Sequence, residues 1–223
     1  MPVAADKLDP IHSRVRRRDM VEKQIKARGV VDHATINALL EIPREHFIAS
    51  QQESYAYDDC PLGIGHEQTI SQPYMVAAMA AALALNNTET VLEVGAGSGY
   101  GAAILSRMAR QVVAIERLPE LLNIAQKRWQ ELGLDNIIPV VGDGSLGWPD
   151  LAPYDAISVT AAAPKMPQTL IEQLKKKYGR MVLPLGDRFV QTLTTISRSA
   201  DGSPILKPLF QCTFVPLIGK EGW

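Results

Sequence analysis

Along this chain, short apolar runs that end in glycine or an acidic residue alternate with longer stretches whose apolar residues return every three or four positions. The short runs at 91–94, 112–115, 137–141, 154–160 and 180–185 have the length and β-branched content of buried strands. Between them, helices are predicted over 101–109 and from Pro119 onward, where Leu118, Leu121, Leu122, Ala125, Trp129 and Leu132 form a stripe that Gly133 stops. Residues 165–177 read as mostly helical. Ahead of the first strand, one helix is expected over 20–28 with Gly29 as its stop. A second should follow the N-cap Asp32, carry Ile36, Leu39 and Leu40 on one face, and end at Pro43. Residues 55–69 have little periodicity and much glycine, proline and aspartate, so they read as a long ordered loop leading to an apolar helix over 74–85. The last runs, 190–197 and 205–215, alternate better than the others and flank a turn at Asp201–Pro204, which predicts an antiparallel hairpin at a sheet edge.

Strands alternating with helices predict an α/β fold. The expected architecture is a Rossmann-like, doubly wound, mostly parallel seven-stranded sheet with helices on both faces, a hairpin at one edge and a small N-terminal helical lobe. Residues 1–72 would form that lobe and the long loop, packed on a main domain at 73–223. Ligands of such sheets bind outside the carboxyl ends of the strands, and Gly95, Glu116, Asp143 and Thr160 fall at successive ends of that kind.

The first run passes into Gly95-Ala96-Gly97-Ser98-Gly99-Tyr100. Glycines at alternate positions supply positive φ and bare backbone for a ligand to lie against. A dinucleotide fingerprint needs a third glycine where Tyr100 stands, which argues against a nicotinamide-dependent oxidoreductase. Glu116 lies about twenty residues beyond the glycines, the distance at which an acidic side chain accepts from ribose hydroxyls. Asp143, in Gly142-Asp143-Gly144, is placed to accept from an adenine amino group, or to serve an Asx turn. Ser71, ahead of Pro73, is either a functional hydroxyl or a helix N-cap. The residues alone leave those two roles open. Ala161–Ala163 keep side chains small where a reacting centre would approach.

Of the 223 residues, 46% are hydrophobic and 21% charged, enough for one sizeable core and a small appended lobe. Twenty-three basic against twenty-four acidic side chains leave a net charge of −1, so nothing in the overall field favours nucleic acid or an anionic membrane. No run of about eighteen apolar residues occurs, and the N-terminus is too polar and proline-interrupted for a signal peptide, so a cytoplasmic protein is expected. A monomer is expected too, although no residue pattern decides it. Cys60 and Cys212 are too few and too far apart for a disulfide scaffold, and His12, His33, His46 and His66 show no ligand spacing; no metal is expected. Arg14 with Arg16-Arg17-Arg18 reads as a solvated helix face or a loose tail.

From about Met20 to its C-terminus the chain resembles the protein-L-isoaspartate O-methyltransferases. The carrying stretches are Leu62–Pro73 with its QTISQP, VLEVGAGSGY at 91–100, Glu116-Arg117, Gly142-Asp143-Gly144 before Gly147-Trp148, Asp155–Pro164 with its VTAA, and Phe214-Val215-Pro216-Leu217. The glycine loop with Glu93 ahead of it is similar to the first motif of class I methyltransferases generally, whereas QTISQP is specific to this family. The resemblance implies methyl transfer from S-adenosylmethionine to the free carboxylate of L-isoaspartyl residues in damaged proteins and peptides, giving an ester that collapses to a succinimide. It also implies Ser71 as the catalytic residue, with Gln68, Thr69, Ile70, Ser71, Glu93, Gly95, Gly97, Glu116, Asp143 and Gly144 around the cofactor. His66-Glu67, Ala163 and Lys165 depart from the usual pattern, which bears on acceptor preference and spares the cofactor positions. The alternatives are a methyltransferase for another small carboxylate or peptide acceptor, and a peptide-binding module that keeps the cleft without the reaction.

Overall fold

Pro10, at φ −60°, opens the first helix of the computed structural model, which describes residues 10–199 and 202–223. This helix, α1, spans Ile11–Met20 and continues as a π turn over Val21–Ile25 and a 3-10 turn over Lys26–Arg28. Gly29 then stops it in the left-handed region, at φ +87°. The helix therefore begins well before the expected Met20, and the basic cluster lies on it. Arg17 is buried and donates to the Glu41 carbonyl at 3.1 Å, while Arg16 reaches the carbonyl of Ser54. The aliphatic stems of such side chains cover apolar surface, so a pattern of apolar residues alone misses the start. The second helix, α2 (His33–Glu41), is capped as predicted: the Asp32 carboxylate accepts from the Thr35 N–H at 2.8 Å, and Ile42 before Pro43 is extended.

The expected loop at 55–69 holds a small antiparallel hairpin, β1 (Leu62–Gly65) and β2 (Gln68–Ile70), with His66-Glu67 as its two-residue turn. Both turn residues have positive φ, 52° and 59°. Asn-Gly announces that geometry in a sequence and His-Glu does not, which is why the hairpin was hidden. It delivers the chain to α3 (Pro73–Leu83), where Pro73 sits in the first turn and Gln72 is the N-cap, without a side-chain cap bond. Ser71 lies one residue too early to be that cap.

The main sheet follows: β3 (Thr90–Val94), α4 (Tyr100–Ser106), β4 (Gln111–Glu116), α5 (Pro119–Glu131), β5 (Ile137–Val141), β6 (Ala156–Val159), α6 (Gln168–Glu172), β7 (Arg180–Gly186), β8 (Gln191–Arg198) and β9 (Pro204–Cys212). Its order is β5-β4-β3-β6-β7-β8-β9; the strands from β5 to β7 are parallel, and β8 and β9 form the antiparallel edge. The connection reverses direction between β3 and β6, which opens a crevice at their carboxyl ends. Asp201, part of the expected hairpin turn, lies outside the described residues.

Alternation along the strands divides the core in two. Val91, Val112 and Ala114 pack against Met20, Leu39, Phe47, Leu83, Ile104 and Trp129, so the N-terminal helices share one core with the sheet. Leu92, Val94, Val113 and Ile115 face the other way, toward Leu170, Ile171 and Leu217. Each such buried aliphatic contributes roughly 1.5–3 kcal/mol relative to leaving it in water. Cover on this second face is thinner than expected. The predicted helix over 165–177 is reduced to α6 because the chain turns back to bond with Tyr154: its N–H donates to the Gln173 carbonyl and its carbonyl accepts from the Lys175 N–H, both at 2.8 Å. For the same reason β6 begins at Ala156 and not at Tyr154. The last apolar run leaves the sheet at Cys212, and Val215–Leu217 turn back across the crevice.

Candidate active site

All of β3 is buried, and it ends against Gly95, whose φ is +91°. A β-carbon there would fall 2.6 Å from the Thr160 hydroxyl, which lies 2.7 Å from the Gly95 carbonyl and closes the gap between β3 and β6. Only glycine fits that position. Two residues on, the Gly97 N–H donates to Glu116 Oε2 at 2.9 Å, and the Leu118 N–H donates to Oε1 at 3.0 Å. The second buried strand thus places its terminal carboxylate under the glycine loop, fixed at both oxygens, with lone pairs left on each. Gly99 permits close packing of α4 on α5: a β-carbon would meet Ala125 and Trp129 at 2.8 Å, and the Trp129 indole donates to the Gly99 carbonyl.

The cleft above these strand ends is lined by Gln68–Ser71, Glu93, Gly95, Gly97, Glu116 and Gly144. Glu93 is 1% exposed, and its Oε2 has no hydrogen-bond partner among the described residues. Burial pushes its carboxyl well above the ordinary range; the Ala102 N–H only partly opposes this, and the charge of Glu116 adds to it. Asp143 stands apart from the others. It is not in the cleft wall, and its carboxylate accepts from the N–H and hydroxyl of Ser145 and from the Lys220 N–H at 2.8 Å. Partial burial pushes this acid up, but those bonds outweigh it and hold Asp143 below its ordinary value. Among the described residues no group of histidine, cysteine, aspartate and glutamate side chains is disposed to hold a metal.

The sequence profile of the family described as protein-L-isoaspartate(D-aspartate) O-methyltransferase (PCMT) matches residues 15–222. The chain belongs to this family. Among curated proteins, the protein-L-isoaspartate O-methyltransferase of Pelotomaculum thermopropionicum is 48% identical over 207 residues, covering 93% of this chain and 90% of that one. That of Geobacter metallireducens is 47% identical over 209 residues, covering 94% and 96%. A solved protein-L-isoaspartate O-methyltransferase superposes with a TM-score of 0.81 at 32% identity, over 92% of this chain and 66% of that chain. A Plasmodium falciparum structure described as a putative member, in complex with S-adenosyl-L-homocysteine, gives 0.77 at 26% identity, over 91% and 98%.

Within this PCMT chain, QTISQP runs through β2 into the head of α3, so Ser71 sits half-buried in the wall of the cleft that the glycine loop also lines. Several residues at the cleft are given no site role in the sequence reading. Val215, Pro216, Leu217 and Ile218 roof the cleft, because the tail pairs with Ala162: its N–H donates to the Val215 carbonyl and its carbonyl accepts from the Leu217 N–H, both at 2.8 Å. Gly101 leaves room for the Glu93 carboxyl beneath α4. Tyr100, standing where a dinucleotide site needs glycine, is 1% exposed and packs its ring against Phe47 at 5.4 Å. Ala163, which departs from the family pattern, donates its N–H to the Pro184 carbonyl at 3.0 Å, a bond proline cannot make.

Proposed function

We propose that this cleft transfers a methyl group from S-adenosylmethionine to the free carboxylate of L-isoaspartyl residues in damaged proteins and peptides, the reaction for which its family is named. The observation that carries this reading is Glu93: a buried acid with an unpartnered oxygen, in the wall of the same cleft as Ser71. Such a group is costly until a cationic ligand comes to it. The residues present therefore fit the cofactor, which when bound supplies an electrophilic methyl group on a positively charged sulfur.

Glu93 would pair with the cofactor's positive end, the backbone of Gly95 and Gly97 would lie against it, and Glu116 would accept from its ribose hydroxyls. Gly144 would border the adenine, and Asp143, next to it but outside the cleft wall, has one lone pair left on Oδ2 that would take an amino group. Gln68, Thr69 and Ile70, which line the same cleft, would complete the cofactor's surroundings. An isoaspartyl carboxyl with a pKa near about 4 is already an anion at neutral pH, so no side chain has to remove a proton. Ser71 then has one task, which is to donate a hydrogen bond that holds the acceptor oxygen in line. Alignment of this kind is worth up to roughly 7–11 kcal/mol. The ester formed collapses to a succinimide without help from the chain.

Residues 1–72 act in this scheme as the lobe that carries Ser71 to the cofactor domain, 73–223. We place the protein in the cytoplasm as a monomer that uses neither nucleic acid nor membrane. In support, its net charge is −1, and no helix among the described residues is long and apolar enough to cross a membrane. Calorimetric titration of the purified chain with S-adenosylmethionine tests the reading: one-to-one uptake is expected, and no uptake overturns it.

A further inference from the structure

The 3-10 turn over Arg44–Phe47 places a guanidinium in the interior. Arg44 is 0% exposed and forms no ion pair with a carboxylate among the described residues. Burial therefore pushes its pKa down. Its contacts are to backbone and to a ring. Nε donates to the Ala56 carbonyl at 2.8 Å, Nη2 donates to the Ser71 carbonyl at 2.8 Å, and the guanidinium carbon lies 5.1 Å from the centre of the Tyr100 ring. Among the described residues Nη1 has no partner, and neither has the hydroxyl of Tyr100, a residue that itself lines the cleft.

A buried cation without a counter-ion is weak ground for stability, since a hydrophobic side chain of like volume does as well or better. What this one does is geometric. It takes hold of the peptide of one cleft residue, Ser71, and lies on the ring of another, Tyr100, at the first turn of α4. A planar fork with separate donors at Nε and Nη2 fixes both carbonyls at once, which an ammonium does not reproduce.

We propose that Arg44 is a positioning residue for methyl transfer: anchored at Ala56 and stacked on Tyr100, it holds the Ser71 peptide so that the serine hydroxyl meets the acceptor carboxylate. This rests on the methyltransferase reading above. Arg44 is not among the residues lining the cleft; it works through Ser71.

A double-mutant cycle reads that dependence directly. Wild type, Arg44→Lys, Ser71→Ala and the double variant are compared for methanol release from an isoaspartyl peptide, with cofactor affinity measured separately by calorimetry. Arg44→Lys is expected to lower kcat about tenfold or more, while cofactor affinity stays within about threefold and the fall in kcat exceeds any change in KM. In the Ser71→Ala background the same change should lower kcat no further. An effect that multiplies with Ser71→Ala, or an unchanged kcat, overturns the proposal. If Arg44→Lys loses cofactor binding altogether, the decision passes to the wild-type complex with S-adenosylhomocysteine. Its Arg44 side-chain nitrogen resonances must shift when isoaspartyl peptide is added and stay put with the aspartyl twin; equal or absent shifts overturn it. A wild type that binds cofactor but releases no methanol sinks the underlying reading too, whereas active wild type with a multiplicative cycle removes Arg44 alone.

Discussion

The Asp143 carboxylate accepts the backbone N–H of Lys220 at 2.8 Å, joining the turn after β5 to the C-terminal tail that roofs the cleft. One acid thus caps the turn at Gly144–Leu146 and latches the roof. Asp143→Ala should cost about 1 kcal/mol of stability and speed amide exchange over residues 215–223, read by mass spectrometry. The acid is held below its ordinary value of 3.8 in the folded state, so its contribution is present above that value and lost as pH falls through the folded pKa. Protection of the tail should be level from about pH 5 to 8 and fade below about pH 4. A loss near neutrality would show that another group holds the tail.

Glu116 is bound at both oxygens by the N–H groups of Gly97 and Leu118. Glu116→Ala removes the proposed ribose acceptor and leaves the glycine loop without its brace. Cofactor affinity should fall by about 1.5–3 kcal/mol, roughly 10- to 150-fold, in calorimetric titration. Undiminished affinity would take Glu116 out of the site.

Glu93 gives the account its pH dependence. Burial holds its carboxyl protonated above the ordinary range in the free protein, and a cationic ligand favours the ionised form. Cofactor binding should therefore release a proton wherever the free protein's carboxyl is still protonated, and affinity should rise as pH climbs above the ordinary value of 4.5 and level beyond the folded one. For folding the sign is opposite: a raised acid favours the folded state at low pH, and that contribution is lost as pH climbs from 4.5 through the folded value. Titrations in buffers of different ionisation enthalpy count the proton, and Glu93→Gln should abolish the release.

The β1–β2 turn contains exposed His66 and Glu67, both in the left-handed region at φ 52° and 59°. A side chain there costs about 1–2 kcal/mol per residue relative to glycine. Glu67→Gly should raise stability by about 1 kcal/mol in a denaturant melt. No gain would mean that the turn adopts another geometry in solution.

The parallel strands, the glycine loop and the Asp32 cap were legible in the sequence because each depends on neighbours along the chain: buried alternation, positive φ, a side chain reaching its own helix. Glu116 was legible for a related reason, since a strand end fixes its distance from the loop. What escaped depends on contacts made across the fold. The β1–β2 hairpin carries atypical turn residues, α1 packs through arginine stems, and α6 is cut short by Tyr154, whose pull on Gln173 and Lys175 no local pattern records. Arg44 is silent likewise, and the tail was marked at 214–217 only by family resemblance and not by a place in the cleft, as their partners stand far away in sequence. Ser71 had two readings on its residues, and the position of Gln72 at the helix cap removed one.

The central claim is that a serine-bearing loop and a cofactor cradle share one cleft in order to methylate a misplaced carboxylate. Its most direct test is methanol released from methyl-labelled S-adenosylmethionine with an L-isoaspartyl peptide, measured beside the same peptide carrying normal aspartate. Steady release is expected with the isoaspartyl form and none above background with its twin. Equal release from both, or release from neither by a chain that binds the cofactor, would contradict that claim.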